Sequence, residues 1–211
     1  MKAERFFTDV EKERLKTAVQ DVESRTIGEV VVAIADQSDR YADAEIIGSL
    51  LVASVAALIL SLLFFYSSIL WFLALIPLLF FPSYYLVKKV PRLKTVFLGL
   101  KRKESAVEQR ALRAFYEHGL YKTKENTGVL FFLSLLERNV WILADKGIYQ
   151  KIGQETLNRF AKTVSRGIKE GHACDALCDA IQDVGELLST HFPMKPGDTD
   201  ELPDSVIIEK L

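Results

Sequence analysis

The feature that most constrains this chain is a long run without a charged residue, from Ile46 to Val87. A buried helix of a soluble protein rarely needs more than about 14 apolar residues in succession, whereas a helix that crosses a bilayer needs about 20. The run therefore predicts a hairpin of two transmembrane helices, at about 46–66 and 69–87, joined by a very short turn at residues 67–68.

Basic residues are concentrated directly after this run, while the predicted turn has none. Seven of them occur before the next acidic residue: Lys88, Lys89, Arg92, Lys94, Lys101, Arg102 and Lys103. The positive-inside rule places this flank in the cytoplasm, and two spans return the N-terminal part to the same side. The sequence leaves open whether these charges only set the orientation or also contact anionic lipid, at about 1 kcal/mol for each residue near the surface.

Composition argues against several other classes of protein. The formal net charge is −1, which provides no global field for binding nucleic acid. The charged start of the chain lacks the apolar segment of a signal peptide, so none is expected. Cys174 and Cys178 are the only cysteines, which is too few for a disulfide framework and compatible with a reducing compartment.

The polar parts on both sides of the run predict alternating helices and strands. One buried strand, Glu29–Ala35, precedes the run, and two strands, at 128–136 and 140–144, follow it as a hairpin around a turn at 137–139. Helices are predicted at about 8–24, 104–119, 154–169 and 173–190. Because two strands make only a marginal sheet, we expect the strands from both sides to join in one sheet covered by helices.

The predicted fold class is therefore α/β, a single α/β/α sandwich domain interrupted by an inserted transmembrane hairpin. Its N-terminal part would be residues 1–45, the hairpin 46–87, its C-terminal part 88–192, and a tail 193–211. Within the tail, Val206–Ile208 is short but apolar enough to dock as an edge strand.

A block of short motifs lies in the second part of the predicted domain. It comprises His118-Gly-Leu120, Asn126-Thr-Gly-Val-Leu130, Ser134-x-x-Glu-Arg138, Val140-x-Ile142 and Lys146-Gly-Ile148, and Thr26-Ile-Gly-Glu-Val-Val-Val32 precedes it. These motifs resemble those of the TPM domain family over about Phe7–Ala35 and Ala106–Leu188. The resemblance implies an α/β/α sandwich, in agreement with the element pattern.

The resemblance also carries expectations about function. Acid phosphatase activity has been attributed to some members of that family, with acidic loop residues implicated in metal binding, whereas others are accessory factors or membrane proteins of unknown role. This chain departs from the family pattern in Asn126-Thr-Gly128, which replaces a tighter Asn-Gly. No signal peptide is expected either, and the predicted hairpin lies inside the domain rather than after it.

The loops at the strand ends offer Asp36, Glu137 and Asp145 as candidate metal ligands, together with Asp39. Carboxylate oxygens suit Ca²⁺ or Mg²⁺, but nothing in the spacing shows that these residues meet, and solvated loop charge is the commoner role. Three or more carboxylates within about 5 Å of one point would favour an ion site. No catalytic residue is identified.

Two other sets of residues have simpler interpretations. His118 ends a predicted helix, where the helix dipole favours a capping imidazolium. Cys174 and Cys178 share one helix face near His172 but lack a recognisable fourth zinc ligand, so we expect buried free thiols.

We therefore expect an accessory, assembly or interaction factor at the cytoplasmic face of a bacterial inner membrane, with both termini in the cytoplasm. Its partners would be the lipid bilayer and another membrane protein or complex. Small residues such as Gly48, Ser49 and Ala53 suit close helix packing, either within the hairpin or between copies in a homo-oligomer. The alternative is a metal-dependent acid phosphatase, which rests on the family resemblance alone.

Overall fold

The computed structural model describes residues 2–64, 69–195 and 201–209, without the side chains of residues 91 and 92. The chain forms two compact units. The first, Met1–Asp39 with Glu104–Leu211, is called here the sandwich unit, and the second, Arg40–Lys103, is called the hairpin unit.

A four-stranded sheet is the centre of the sandwich unit. Its strands are β1 (Glu29–Ala35), β2 (Gly128–Ser134), β3 (Asn139–Ala144) and β4 (Ile207–Glu209), in the order β3-β2-β1-β4. β1 pairs in parallel with β2 and with β4, and β2 pairs antiparallel with β3. Every residue of β1 and β2 is buried, which explains why both sequences are almost continuously apolar.

Helices cover both faces of this sheet. Val30, Val32 and Ile34 of β1 face a core built with α1 (Asp9–Glu23), α7 (Gln154–Glu170) and α8 (Ala173–His191). The opposite face packs on α5 (Leu100–Glu117) through Val107, Ala111, Ala114 and Phe115. The predicted α/β sandwich is thereby confirmed, with β1 contributed from one side of the uncharged run and β2 and β3 from the other.

Local sequence explains where several helices begin and end. The Thr8 N–H donates to the Glu11 carboxylate at 2.8 Å, and the Glu11 N–H donates to the Thr8 hydroxyl at 3.3 Å, which is a capping box at the start of α1. α5 ends before Gly119, whose φ of +74° is a left-handed conformation that glycine adopts without steric cost.

Several elements differ from the sequence-based expectation. The first helix of the hairpin unit begins at Ala42 rather than at about residue 46, and β2 ends at Ser134 rather than at residue 136. α6 (Lys146–Ile152) forms where only a closing turn was expected, and the Asp145 carboxylate caps it. α4 (Pro91–Val96) forms directly after the uncharged run, with proline at its first position. β4 covers residues 207–209, one residue later than the predicted edge strand.

The hairpin unit contains α2 (Ala42–Phe64), α3 (Ile69–Lys89) and α4. By length and composition, α2 and α3 are each sufficient to cross a bilayer. The buried face of α2 consists mostly of small residues, which permit close approach: Ala44, Gly48, Ser49, Ala53, Ala57 and Ser61. α3 stays helical through Pro77 and Pro82, and the predicted turn at residues 67–68 lies outside the described residues.

Candidate functional site

The C-terminal edge of β1 and β2 brings together Ser38, Ser134 and Glu137. The Ser134 hydroxyl donates to one Glu137 carboxylate oxygen, and the Ser38 N–H donates to the other at 3.0 Å. The Ser38 hydroxyl in turn donates to Ser134 Oγ at 2.7 Å. Since both serines are buried, neither hydroxyl is accessible as a nucleophile, and the network joins the loop after β1 to the turn after β2.

Asp36 lies at the same edge, directly after β1. Its Oδ1 accepts a hydrogen bond from the backbone N–H of Ala3. The carboxylate therefore fastens the N-terminal segment, whose Ala3 is buried against the core, to the end of the first strand.

Asp145 lies at the opposite edge of the sheet. β3 runs antiparallel to β2, so its end returns to the start of β2, where the Asp145 N–H donates to the Gly128 carbonyl at 2.9 Å. The length of a seven-residue strand, about 20 Å, separates the two edges. The Asp145 Oδ1 accepts from the Lys146 N–H at 2.6 Å and caps α6.

The candidate metal ligands Asp36, Glu137 and Asp145 therefore do not converge on one site. Within residues 2–64, 69–195 and 201–209, no group of three His, Cys, Asp or Glu side chains is placed to hold an ion. Asp36 and Glu137 accept hydrogen bonds from protein donors instead. The structure therefore does not bring Asp36, Glu137 and Asp145 together as ligands of one Ca²⁺ or Mg²⁺ ion.

A buried charge cluster that no sequence pattern indicates lies between α5 and β4. The Glu209 carboxylate contacts the Arg110 guanidinium through one oxygen and His118 Nε2 through the other. Arg110 also lies 3.6 Å from Glu117 Oε2. Glu209 and Arg110 are buried, so His118 serves the attachment of β4 to α5 rather than a simple helix cap.

A cavity of about 340 Å³ lies beside this cluster. Its lining combines acidic, basic and aromatic side chains: Tyr116, Glu117, His118, Lys122 and Glu201, with Thr123 and Leu202. Glu201 pairs with Lys124 at 3.0 Å. Because charges of both signs are present, the lining does not select a cationic or an anionic ligand.

A second, larger cavity of about 710 Å³ lies along α1 and α8 and is mainly apolar. Val10, which lines it, is 72% exposed. The charged residues at its rim include Arg14, which pairs with Asp175 at 2.7 Å, and Asp21, which pairs with Arg25 at 2.9 Å.

Cys178 lines this second cavity, and Cys174 lies one helical turn away in the core. Burial, followed by the neighbouring Cys178 thiol, raises the pKa of Cys174 to about 12. Burial also raises the pKa of Cys178. Both side chains are therefore protonated at neutral pH. Cys174 is buried in the core, as expected from the sequence, whereas Cys178 is only partly buried.

The base of the hairpin unit holds a buried ion pair. Lys94 Nζ of α4 contacts Glu45 Oε1 in the first turn of α2, and the Tyr84 hydroxyl of α3 donates to Glu45 Oε2 at 3.4 Å. Both charged side chains are 9% exposed. The pair joins α2, α3 and α4, and it shows that the start of α2 and the end of α3 lie at the same end of the hairpin.

Comparisons with known proteins agree with the motifs. The model of the TPM domain family matches residues 91–187, a range that includes β2, β3 and the helices α6 and α7. Among solved structures, the chain is similar to the NMR structure of the BA42 protein from the psychrophilic bacterium Bizionia argentinensis, with 20% sequence identity, a TM-score of 0.62 and 99% of each chain covered. No curated protein matches the chain. The resemblance inferred from the motifs is thus confirmed, and at this identity the structural likeness shows the fold alone.

Proposed function

Because the chain carries a TPM domain at residues 91–187, we propose that it is a membrane-anchored member of that family. The α2–α3 hairpin holds the sandwich unit at the cytoplasmic face of a bacterial inner membrane, with both termini in the cytoplasm. There the protein acts as an accessory, assembly or interaction factor for another membrane protein.

The observation that carries this proposal is the outward face of α2 and α3. Large apolar side chains along both helices are between 49% and 75% exposed within the chain, among them Leu50, Leu63, Leu70 and Phe81. Burying such a side chain is worth about 2 kcal/mol. A water-soluble unit would turn these side chains inward, whereas a bilayer solvates them as they stand.

The orientation follows from charge. The described part of the hairpin brings the start of α2 and the end of α3 to one end, and the basic flank lies at that end. The positive-inside rule then places this end in the cytoplasm, and with it both parts of the sandwich unit.

The phosphatase alternative has no specific support in the geometry. Asp36, Glu137 and Asp145 are divided between two edges of the sheet, and Ser134 is fully buried. The carboxylates accept hydrogen bonds that stabilise loops and a helix start.

A labelling experiment tests the anchoring and its orientation. In a background with both cysteines replaced by alanine, Ser67→Cys places a thiol at the predicted external turn, and Ser205→Cys places one in the sandwich unit. A membrane-impermeant maleimide applied to intact cells is expected to label Cys at 67 and not at 205 until the cells are lysed. Labelling of position 205 in intact cells, or recovery of the protein in the soluble fraction, would overturn the proposal.

A second experiment tests the accessory role. A photo-crosslinking amino acid at Val10, in the cavity along α1 and α8, is compared with one at Lys162, an exposed position on α7. We expect a specific adduct with one membrane protein from position 10 only. Metal-dependent hydrolysis of p-nitrophenyl phosphate by the purified chain, lost in Asp36→Asn or Asp145→Asn, would instead restore the phosphatase alternative.

A further inference from the structure

We propose that Lys88 and Lys89, at the end of α3, form a docking site for the headgroups of anionic phospholipids. This inference rests on the proposed function, because it requires α3 to end at a membrane surface. It answers a question that the sequence leaves open, namely which of the seven basic residues after the uncharged run have charge available for lipid.

Six of those seven residues have described side chains, and the structure divides these six into groups. Lys94 is committed to the protein, because its ammonium group contacts the buried Glu45 carboxylate and its side chain is almost inaccessible. Arg102 lies 3.4 Å from Asp43 Oδ2, so that an acidic residue of α2 offsets part of its charge. These two cations serve the base of the hairpin unit.

Lys88 and Lys89 are arranged differently. Both are exposed. Among the described side chains of the hairpin unit, the two lysines contact aromatic rings rather than carboxylates. Lys88 Nζ lies 5.8 Å from the centroid of the Tyr84 ring, and Lys89 Nζ lies 4.9 Å from that of Tyr85. A ring attracts an ammonium group through its quadrupole but, unlike a carboxylate, does not neutralise its charge.

The position of Lys88 and Lys89 along α3 matches the level at which lipid phosphate groups lie in the proposed orientation. Leu86 is an exposed apolar residue of α3, and a helix rises 1.5 Å per residue, so the lysines begin about 3 to 5 Å beyond it. Tyrosine rings favour the interface between hydrocarbon and water. Tyr84 and Tyr85 therefore hold two ammonium groups at the level where phosphate groups lie.

Charge selects an anionic lipid over a neutral one. A zwitterionic headgroup carries its own cation beside the phosphate, whereas phosphatidylglycerol carries a net negative charge. At the usual contribution of a basic residue near a membrane surface, the pair corresponds to a preference of about 30-fold for the anionic lipid. Among the described side chains, neither Lys101 nor Lys103 of α5 lies over an aromatic ring, and these two residues provide the comparison.

The test measures lipid selectivity by electron paramagnetic resonance, with the full chain in phosphatidylcholine vesicles that contain spin-labelled phosphatidylglycerol or phosphatidylcholine. We expect the motionally restricted fraction to show the preference for phosphatidylglycerol in the unaltered protein, and the double variant Lys88→Gln/Lys89→Gln to lose most of it. The matched variant Lys101→Gln/Lys103→Gln removes the same charge and is expected to keep most of the preference. Equal loss in both variants, or no loss in the first, would overturn the inference.

Flotation separates this inference from the proposed function. The unaltered chain and both variants are expected to float with vesicles of phosphatidylcholine alone, because the apolar hairpin inserts without anionic lipid. Failure to float would overturn the anchoring itself, whereas flotation without lipid selectivity would overturn only the lysine site. If Lys88→Gln/Lys89→Gln abolished the crosslink from position 10 and left lipid selectivity unchanged, the pair would instead bind an acidic protein surface.

Discussion

The two units of this chain obey opposite packing rules. In the sandwich unit, large apolar residues such as Phe131 and Leu133 are fully buried. In the hairpin unit, the buried positions of α2 are mostly small, and its large apolar residues point outward. The difference is the one expected if the sandwich unit is solvated by water and, under the proposed anchoring, the hairpin unit by hydrocarbon. It also means that the same substitution has different consequences in each.

Leucine truncation gives the largest expected contrast. Leu133→Ala removes a fully buried side chain from β2 and is expected to lower the free energy of unfolding of the sandwich unit by about 2 to 5 kcal/mol. Leu58→Ala removes a side chain that is 49% exposed on α2, and we expect almost no change. Denaturant unfolding of the detergent-solubilised chain, followed by circular dichroism, measures both. Equal destabilisation would show that α2 is packed inside protein.

The buried charges of the two units allow a second comparison. Glu209→Gln leaves Arg110 buried with a weakened partner, and we expect a loss of about 3 kcal/mol in the stability of the sandwich unit. Glu45→Gln likewise leaves Lys94 buried with a weakened partner, and we expect a similar loss of stability in the hairpin unit.

The matched double variant Glu45→Gln/Lys94→Gln should recover much of the stability lost in Glu45→Gln, because no unpaired charge is left buried. Thermal denaturation of the three variants in one detergent measures the order. A double variant as unstable as the single one would mean that the ion pair is not what joins α4 to the hairpin.

Part of this contrast was predictable from sequence, because it depends on local pattern. The uncharged run specifies the hairpin, and the apolar runs at β1 and β2 specify buried strands. The cluster of Arg110, His118 and Glu209 was not predictable, because no local pattern links its members. Glu209 lies 99 residues after Arg110 and 91 residues after His118 in the chain.

The separation of the candidate carboxylates between two edges of the sheet has a topological reason. The antiparallel return of β3 carries Asp145 to the edge opposite Glu137, and spacing along the chain does not reveal that reversal.

A glycine pair tests how closely the hairpin unit is packed. A Cβ at Gly48 would lie 2.6 Å from the Phe97 ring, whereas a Cβ at Gly99 would have no neighbour within 4 Å. Gly48→Ala should therefore displace Phe97, at about 1 to 2 kcal/mol, and Gly99→Ala should not. Limited trypsin digestion at Lys94 is the measurement, with faster cleavage expected only for Gly48→Ala. Equal cleavage rates would contradict the packing of Phe97 on α2.

The smallest expected effect concerns a helix start of the sandwich unit. Hydrogen bonds from the Thr8 backbone and hydroxyl lower the pKa of Glu11. A carboxyl with a lowered folded-state pKa stabilises the fold above its unfolded pKa, about 4.3, and loses that contribution as the pH falls further. Thr8→Ala should cost about 1 kcal/mol at pH 7 and less at pH 3, as measured by urea unfolding. A pH-independent effect would show that the Thr8 hydroxyl does not act on the Glu11 carboxylate.

The parallel pairing of β1 with β2 has a consequence for biosynthesis. A parallel pair requires a crossover connection, and in this chain the crossover contains the whole hairpin unit. During translation, β1 leaves the ribosome first and its hydrogen-bonding neighbour β2 emerges only after residues 36–127 have been made. The N-terminal segment must therefore remain unpaired, or be held by a chaperone, while the hairpin is delivered to its environment. Under the proposed anchoring, insertion of the hairpin therefore precedes completion of the central sheet, because β1 and β2 lie on opposite sides of the hairpin in the chain.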